Sequence, residues 1–443
     1  MSGALGTLMP DVRTLPPGPR SRKLATELRA YESRNVTYVG PDFPVFWEEA
    51  RGANVRDVDG NIYVDLTAAF AVAGSGHAHP AIVAAIRRQA GRLVHGMGDV
   101  HPPAVKVELL RELAAVTPGG LARSILASSG AEAVEAALKT ALLATGRPKV
   151  AVFEGGYHGL TYGALPLSGR EDFRAPFTRQ LRENGVFVPY PRPGGASVDE
   201  VVSRLRKIGE DVGAVLAEPV QGRGGDVVPP VDFLPRLREL CDERGWLLIL
   251  DEIYTGFGRA GRWFACEHAG VVPDLMAVGK ALSGGLPFAA CIGTERVMDA
   301  WPASSGEALH TSTFLGNPLA CAAALASIRT LREEGLIARS AELGARLMER
   351  MREIFAGNPR VAEVRGLGMM IGIELVREDG GADADLTRRV MIGALRRGAL
   401  VLGGGVEGNV LSLSPPFVLT DDQAEAAIRV LAEVVREESG RGG

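Results

Sequence analysis

The stretch "FLPRLRELCDERGWLLILDEI", residues 233–253, decides the fold. In its first half leucines recur at helical spacing with charges between them, and the pattern stops at Gly245. The second half is an apolar run, 246–250, that ends on an acid, Asp251. A 3.6-period segment followed at once by a short apolar run is half of a βαβ unit. A run with no polar alternation belongs to a strand covered on both faces, the usual condition of a parallel sheet.

The same alternation extends in both directions. "SILA" ends at Ala127 and the helix-like "AEAVEAALKTALLAT" follows; "KVAVF" ends at Phe153. "VGAVLAEPV" carries a strand to about Glu218, and "LMAVGK" carries another up to Lys280. The predicted fold is α/β, with a mainly parallel central sheet flanked by helices. From about Pro318 the pattern changes to two long helices, "PLACAAALASIRTLREEG" and "ARSAELGARLMERMREIF". Strand-like "GMMIGIELV" and "NVLSLS" come next, then a last helix near "DDQAEAAIRVLAEVVREE". This tail reads as a smaller α+β unit. "NVRDVDGNIYVDL", residues 54–66, reads as a hairpin turning at Asp59-Gly60 that joins it. A short helix is expected over residues 23–33, after an irregular start. The division expected is 1–65 as an N-terminal part of the small domain, 66–320 as the large domain and 321–443 as the rest of the small one.

Composition narrows the function. The 443 residues carry a net charge of -4 with acids and bases interspersed, which argues against a nucleic-acid groove. The 56 glycines are nearly twice the ordinary share of about 7% and gather at predicted strand–helix junctions. Cys241, Cys266, Cys291 and Cys321 form no C-x-x-C, so neither a disulfide framework nor a zinc cluster is indicated, and a reducing cytoplasm is expected. His77 and His79 in "GHAHP" lack a nearby ligand cluster, so no metal is assigned. The N-terminus does not read as a signal peptide, and no apolar run is long enough for a membrane span.

In an open parallel sheet, ligands bind beyond the carboxyl ends of the strands. Glu218, Asp251 and Lys280 end three predicted strands, and Gly130 opens a helix after a fourth. Singly, each has an ordinary reading: a turn cap, an N-cap, a surface lysine, a turn. Together at one edge they describe a site. "SSGAEA", 128–133, is a helix N-terminus whose free amides and dipole favour an anion such as phosphate. A phosphate, an acid and a lysine suit pyridoxal 5'-phosphate, whose ring nitrogen needs a carboxylate and whose aldehyde condenses with an amine. Desolvation by apolar neighbours turns such a lysine into a nucleophile.

From about residue 40 to 435 the chain resembles the class III aminotransferases, pyridoxal-phosphate enzymes of fold type I. The resemblance rests on "SSGAEAVEAALK", "YHG", "AEPVQGRGG", "LDEIYTGFGR", "VGKALSGGLP" and "TSTFLGNPLA", in the family's order and spacing. It implies Lys280 as the internal aldimine and proton carrier, Asp251 as the pyridinium partner and Glu218 beside the ring. It also implies ring contacts from Tyr157 and Ile253, and cofactor contacts from Ser129, Gly130, Ala131 and His158. Thr313 would reach the phosphate of a neighbouring subunit, so a homodimer with active sites at the subunit interface is implied. Where several relatives have glutamine, this chain has Tyr254. The implied activity moves an amino group from an amino acid or amine donor to an oxo-acid acceptor. The alternative is an amino-acid racemase or epimerase, which occurs in the same family. A third reading, a non-enzymatic protein-binding descendant, is opposed by the intact lysine, aspartate and phosphate cradle.

Substrate residues depart from the resemblance. Relatives acting on ornithine, acetylornithine or 4-aminobutyrate carry an arginine after "YHG"-like residues, where this chain has Leu160, and a late arginine, where it has Ser412. The glutamate that pairs with the late arginine is Arg223 here. Arg223 is either a surface residue of a glycine-rich loop or a bidentate holder of a substrate carboxylate.

Overall fold

The computed structural model describes residues 5–440. The expected hairpin forms: β2 (Asn54–Asp57) and β3 (Ile62–Asp65) pair antiparallel, and β1 (Trp47–Arg51) adds beyond β2. Gly60 turns the chain at φ 89°, in the left-handed region open to glycine. The hairpin turn also caps a distant helix. Asp59 accepts hydrogen bonds from the amides of Arg20 and Ser21 at 2.8 and 2.9 Å. That cap, with a proline in the first turn, starts the first helix at Pro19 rather than at residue 23, and it runs to Tyr31.

The central sheet has seven strands: β4 (Leu121–Ala127), β5 (Lys149–Phe153), β6 (Gly185–Val188), β7 (Val212–Ala217), β8 (Leu247–Asp251), β9 (Leu275–Val278) and β10 (Ala289–Thr294). Their order across the sheet is β4-β10-β9-β8-β7-β5-β6. Every residue of β7, β8 and β9 is buried, as two covered faces require. Each Leu, Ile or Val so buried contributes roughly 1.5–3 kcal/mol relative to exposure. The helix Phe233–Arg244 ends where Gly245 adopts φ 62° and its amide bonds back to Cys241 O.

One strand departs from the expected pattern. β10 runs antiparallel to both β4 and β9. Two reversals restore direction, so β4 runs parallel to β9 and ends at the same edge as β5, β7 and β8. The short, small-residue run "AACIGT" offers little periodicity by which to recognise it.

The C-terminal region contributes β11 (Val361–Leu367), β12 (Met370–Leu375), β13 (Ala399–Leu400), β14 (Leu402–Gly404) and β15 (Val410–Leu413). Four of them form a sheet of order β11-β12-β15-β14. β13 instead pairs parallel with β3, so the N-terminal hairpin joins the C-terminal region through a separate small sheet. The expected long helices are Pro318–Glu333, Leu336–Phe355 and Asp421–Ser439. No helix among the described residues is long and apolar enough to cross a membrane.

Candidate active site

The carboxyl edge of the central sheet gathers the acids and the lysine. Asp251 is the last residue of β8, Glu218 lies one past β7, and Lys280 lies two past β9. Beyond β4, Ser129 caps the 16-residue helix Gly130–Thr145, its hydroxyl accepting from Glu132 N at 3.3 Å. The first-turn amides of Gly130 and Ala131 have no partner inside that helix. A methyl on Gly130 would meet Ile253 Cδ1 at 2.9 Å, so the helix start and the Ile253 side chain pack directly against each other.

Asp251 is buried and fixed from two sides. His158 Nδ1 stands 2.8 Å from one carboxylate oxygen, and Ile253 N donates to the other at 3.1 Å. Burial of the His158 imidazole lowers its proton affinity, but the hydrogen bond and charge of Asp251, with Glu218, outweigh burial and raise it. Glu218 accepts hydrogen bonds from Tyr157 N at 2.9 Å and Gly222 N at 3.0 Å. Burial pushes its carboxyl up to about 7, against the His158 charge and with help from Asp251.

The Lys280 backbone has φ 45°, a left-handed conformation that costs a non-glycine residue roughly 1–3 kcal/mol. Packing holds it there. Ser327 Oγ donates to Ala281 O at 2.9 Å, and Gly74 comes so near that an added methyl would stand 3.3 Å from Ala281 Cβ. Burial pulls the Lys280 amine down to about 8; Asp251 and Glu218 oppose this, and Arg223 and Arg259 add to it.

Tyr157 packs edge-on to Phe173, ring centroids 5.6 Å apart. The Arg223 guanidinium lies 5.7 Å from the Tyr157 centroid and 6.0 Å from that of Phe173, within cation–π reach. Its side chain is exposed, as a surface residue's would be. Yet its neighbour Arg170 pairs with Asp172 at 2.8 Å, while among the described residues Arg223 has no ion-pair partner. Leu160 is exposed and Ser412 half-buried. Thr313 is exposed in the loop before the helix Pro318–Glu333. The histidines of "GHAHP" go to separate carboxylates, His77 to Asp65 at 2.7 Å and His79 to Glu334 at 3.2 Å.

Two features at this edge have no signal in the sequence. Residues Ala68, Ala69, Phe70 and Ala71 have φ of 44°, 50°, 61° and 65°, a full left-handed turn packed against the Lys280 turn. It costs roughly 1–2 kcal/mol per residue. Ser414 Oγ braces it by donating to Thr67 O at 3.0 Å. The other is Arg259, fully buried, which donates through Nη1 to Met369 O at 3.0 Å and Pro415 O at 2.6 Å. An alanine-rich run and a "GFGR" arginine look ordinary in one dimension.

These groups fit pyridoxal phosphate. A helix start of free amides suits its dianion, a carboxylate oriented by imidazole suits its ring nitrogen, and a buried, weakly basic amine suits its aldehyde.

Comparison with known proteins agrees. The profile of aminotransferase class-III matches residues 37–435. The acetylornithine aminotransferase of Methanosarcina acetivorans is 39% identical, over 88% of this chain and 91% of the relative. An alanine/serine racemase of Pyrococcus horikoshii is 34% identical over 97% and 93%. Among solved structures, the ornithine aminotransferase of Toxoplasma gondii, described with PLP in its active site, superposes with a TM-score of 0.84 at 32% identity, covering 95% of each chain. With the fold, the edge geometry and the profile in agreement, the chain belongs to the class-III aminotransferases and is a pyridoxal-phosphate-dependent aminotransferase of fold type I.

Proposed function

We propose that this site exchanges an amino group between an amino acid or amine donor and an oxo-acid acceptor, with Lys280 as the working amine. When bound, the cofactor supplies an aldehyde and an electron-withdrawing ring. Lys280 Nζ carries the proton to and from the substrate α-carbon. Asp251, oriented by His158, holds a proton at the ring nitrogen. Ser129 and the amides of Gly130 and Ala131 would hold the phosphate, Tyr157 and Ile253 would hold the ring between them, and Glu218 would stand beside it. The observation that carries this reading is a weakly basic buried lysine sharing one sheet edge with a carboxylate clamped by an imidazole. Incubation with a single amino acid tests it. Stoichiometric conversion of the cofactor to its amine form is expected; inversion of the amino acid with the cofactor unchanged contradicts it. That opposite outcome defines a second reading, racemisation, which is supported by the 34% identity to a protein named as an alanine/serine racemase.

Arg223 binds the substrate carboxylate. Support comes from a guanidinium held at two aromatic rings with no carboxylate of its own among the described residues. Arg223→Ala should raise KM for carboxylate substrates about tenfold to a hundredfold, the range of a charged hydrogen bond of about 1.5–3 kcal/mol. Simple amines should be little affected, and 4-aminobutyrate and acetylornithine should be poor donors. Steady-state kinetics unchanged for every carboxylate substrate would return Arg223 to the surface.

The working unit is a homodimer in which Thr313 reaches the partner's phosphate site. The Thr313 loop packs on residues 94–101: Phe314 meets His95 at 5.3 Å, Asn317 Nδ2 donates to Val94 O at 3.2 Å, and Thr311 Oγ1 donates to Asp99 at 3.0 Å. Exposed Val94, Met97, Val100, Leu309 and Phe314 cluster there, an apolar surface suited to a second copy. Dimerisation and cofactor retention should therefore be coupled; a fully active monomer in the ultracentrifuge would refute this. Residues 66–320 form the large cofactor-binding domain, with 1–65 and 321–443 forming the small one; residues 1–4 and 441–443 of that division lie outside the described residues, and the β3–β13 pairing supports it. A cytoplasmic location is supported by four unpaired, buried cysteines.

A further inference from the structure

Tyr254 occupies a position that the activity above leaves without a role. Lys280 Nζ lies 4.2 Å from the centroid of its ring, the shortest cation–ring approach around the site. The ring is fixed in place. Gly222 passes over it so closely that a methyl would press on Cγ at 3.2 Å and on both Cδ atoms at 3.4 Å. Its hydroxyl faces Ser414 and Ser412, and Ser414 is itself tied to Thr67 O at 3.0 Å. The Lys280 backbone is equally constrained by its strained φ and its packing. A flexible four-carbon stem therefore starts from a fixed point and meets a fixed aromatic face.

We propose that Tyr254 is a positioning residue: the face of its ring holds the charged form of the Lys280 amine, setting where that amine rests whenever it is not bonded to the cofactor. This rests on Lys280 being the working amine. The ring quadrupole attracts an ammonium and does not attract a neutral amine. Burial and the Arg223 and Arg259 charges disfavour the ammonium, Asp251 and Glu218 favour it, and the ring adds a stabilising contact that is no carboxylate. A neutral ring leaves the local charge balance unchanged, so it can hold the amine without pairing it permanently.

The test reads Lys280 directly. The full chain is loaded with pyridoxamine phosphate, so that the lysine amine is not bonded to cofactor. Its titration is followed by brief acetic anhydride labelling at graded pH, with the Lys280 peptide quantified by mass spectrometry. Tyr254→Phe keeps the ring and should keep the midpoint. Phenylalanines with successively more ring fluorines at position 254 keep the shape but drain the quadrupole. The midpoint should fall stepwise along that series, by about half to one pH unit in all. Tyr254→Leu should fall as far, and the fluorinated series answers the question even if that variant does not fold. A midpoint that stays flat with fluorination overturns the proposal. So does a full fall on Tyr254→Phe, which would assign the effect to the hydroxyl. If Lys280 is not the working amine, this titration still reports on the ring contact, while near-normal turnover of Lys280→Ala marks that failure separately.

Discussion

Lys280→Ala should lower turnover by about 10⁴-fold or more, because it removes both the amine that bonds the cofactor and the group that carries the substrate proton. The fold should survive. The lysine contributes little to the core, and the turn around it is held by Gly74, Ala281 and Ser327. Cofactor should still bind, since the free amides at Gly130 and Ala131 and the clamped Asp251 remain. Steady-state rates and borohydride reduction check the expectation together. In the parent enzyme, reduction should leave the cofactor on the Lys280 peptide; in the variant it should leave none. Near-normal turnover, or cofactor trapped on another lysine of the parent, would remove Lys280 from the reaction.

Asp251→Asn should come second in size, with turnover down about a hundredfold or more, roughly 2.7 kcal/mol of barrier. The one amide oxygen can still accept from Ile253 N, and the amide NH2 can donate to His158 Nδ1 in its neutral tautomer, so local structure should persist. A neutral amide cannot, however, hold a proton on the ring nitrogen, and the ring then withdraws electrons less well. Supplying an N-methylated cofactor, permanently cationic, should restore part of the rate in the variant. A variant within about threefold of the parent, roughly 0.7 kcal/mol, would contradict the role. Failure of the methylated cofactor to help would show that the aspartate serves the fold around His158 instead.

Much of this site was legible in one dimension because its positions are strand ends. Apolar runs stop where the backbone leaves the sheet, so Glu218, Asp251 and Lys280 announce themselves by following such runs. The helix start at Ser129–Gly130 is equally local, since a hydroxyl, a glycine and small residues before an apolar period mark an N-terminus. Arg223 was visible as a departure in residue type, but its two rings were not, because Tyr157 follows β5 and Phe173 sits on the short helix Glu171–Arg174, both about 50 residues or more away in the sequence.

By itself, then, the sequence determined the α/β alternation, the hairpin at Asp59-Gly60 and the carboxyl-edge residues. Each of these depends on periodicity, turn chemistry or capping within a few residues. Tertiary structure alone decided which edges pair: β10 enters antiparallel between β4 and β9, and β13 leaves the C-terminal sheet for β3. It alone joined His158 to Asp251 across 93 positions and laid the Lys280 amine on the Tyr254 ring. It also wound Ala68–Ala71 left-handed, against their own preference for the right-handed helix. The reason is the same in each case. Strand pairing, close contact and tolerated strain are set by what remains to be buried once the other elements have packed, and no local window of residues contains that information.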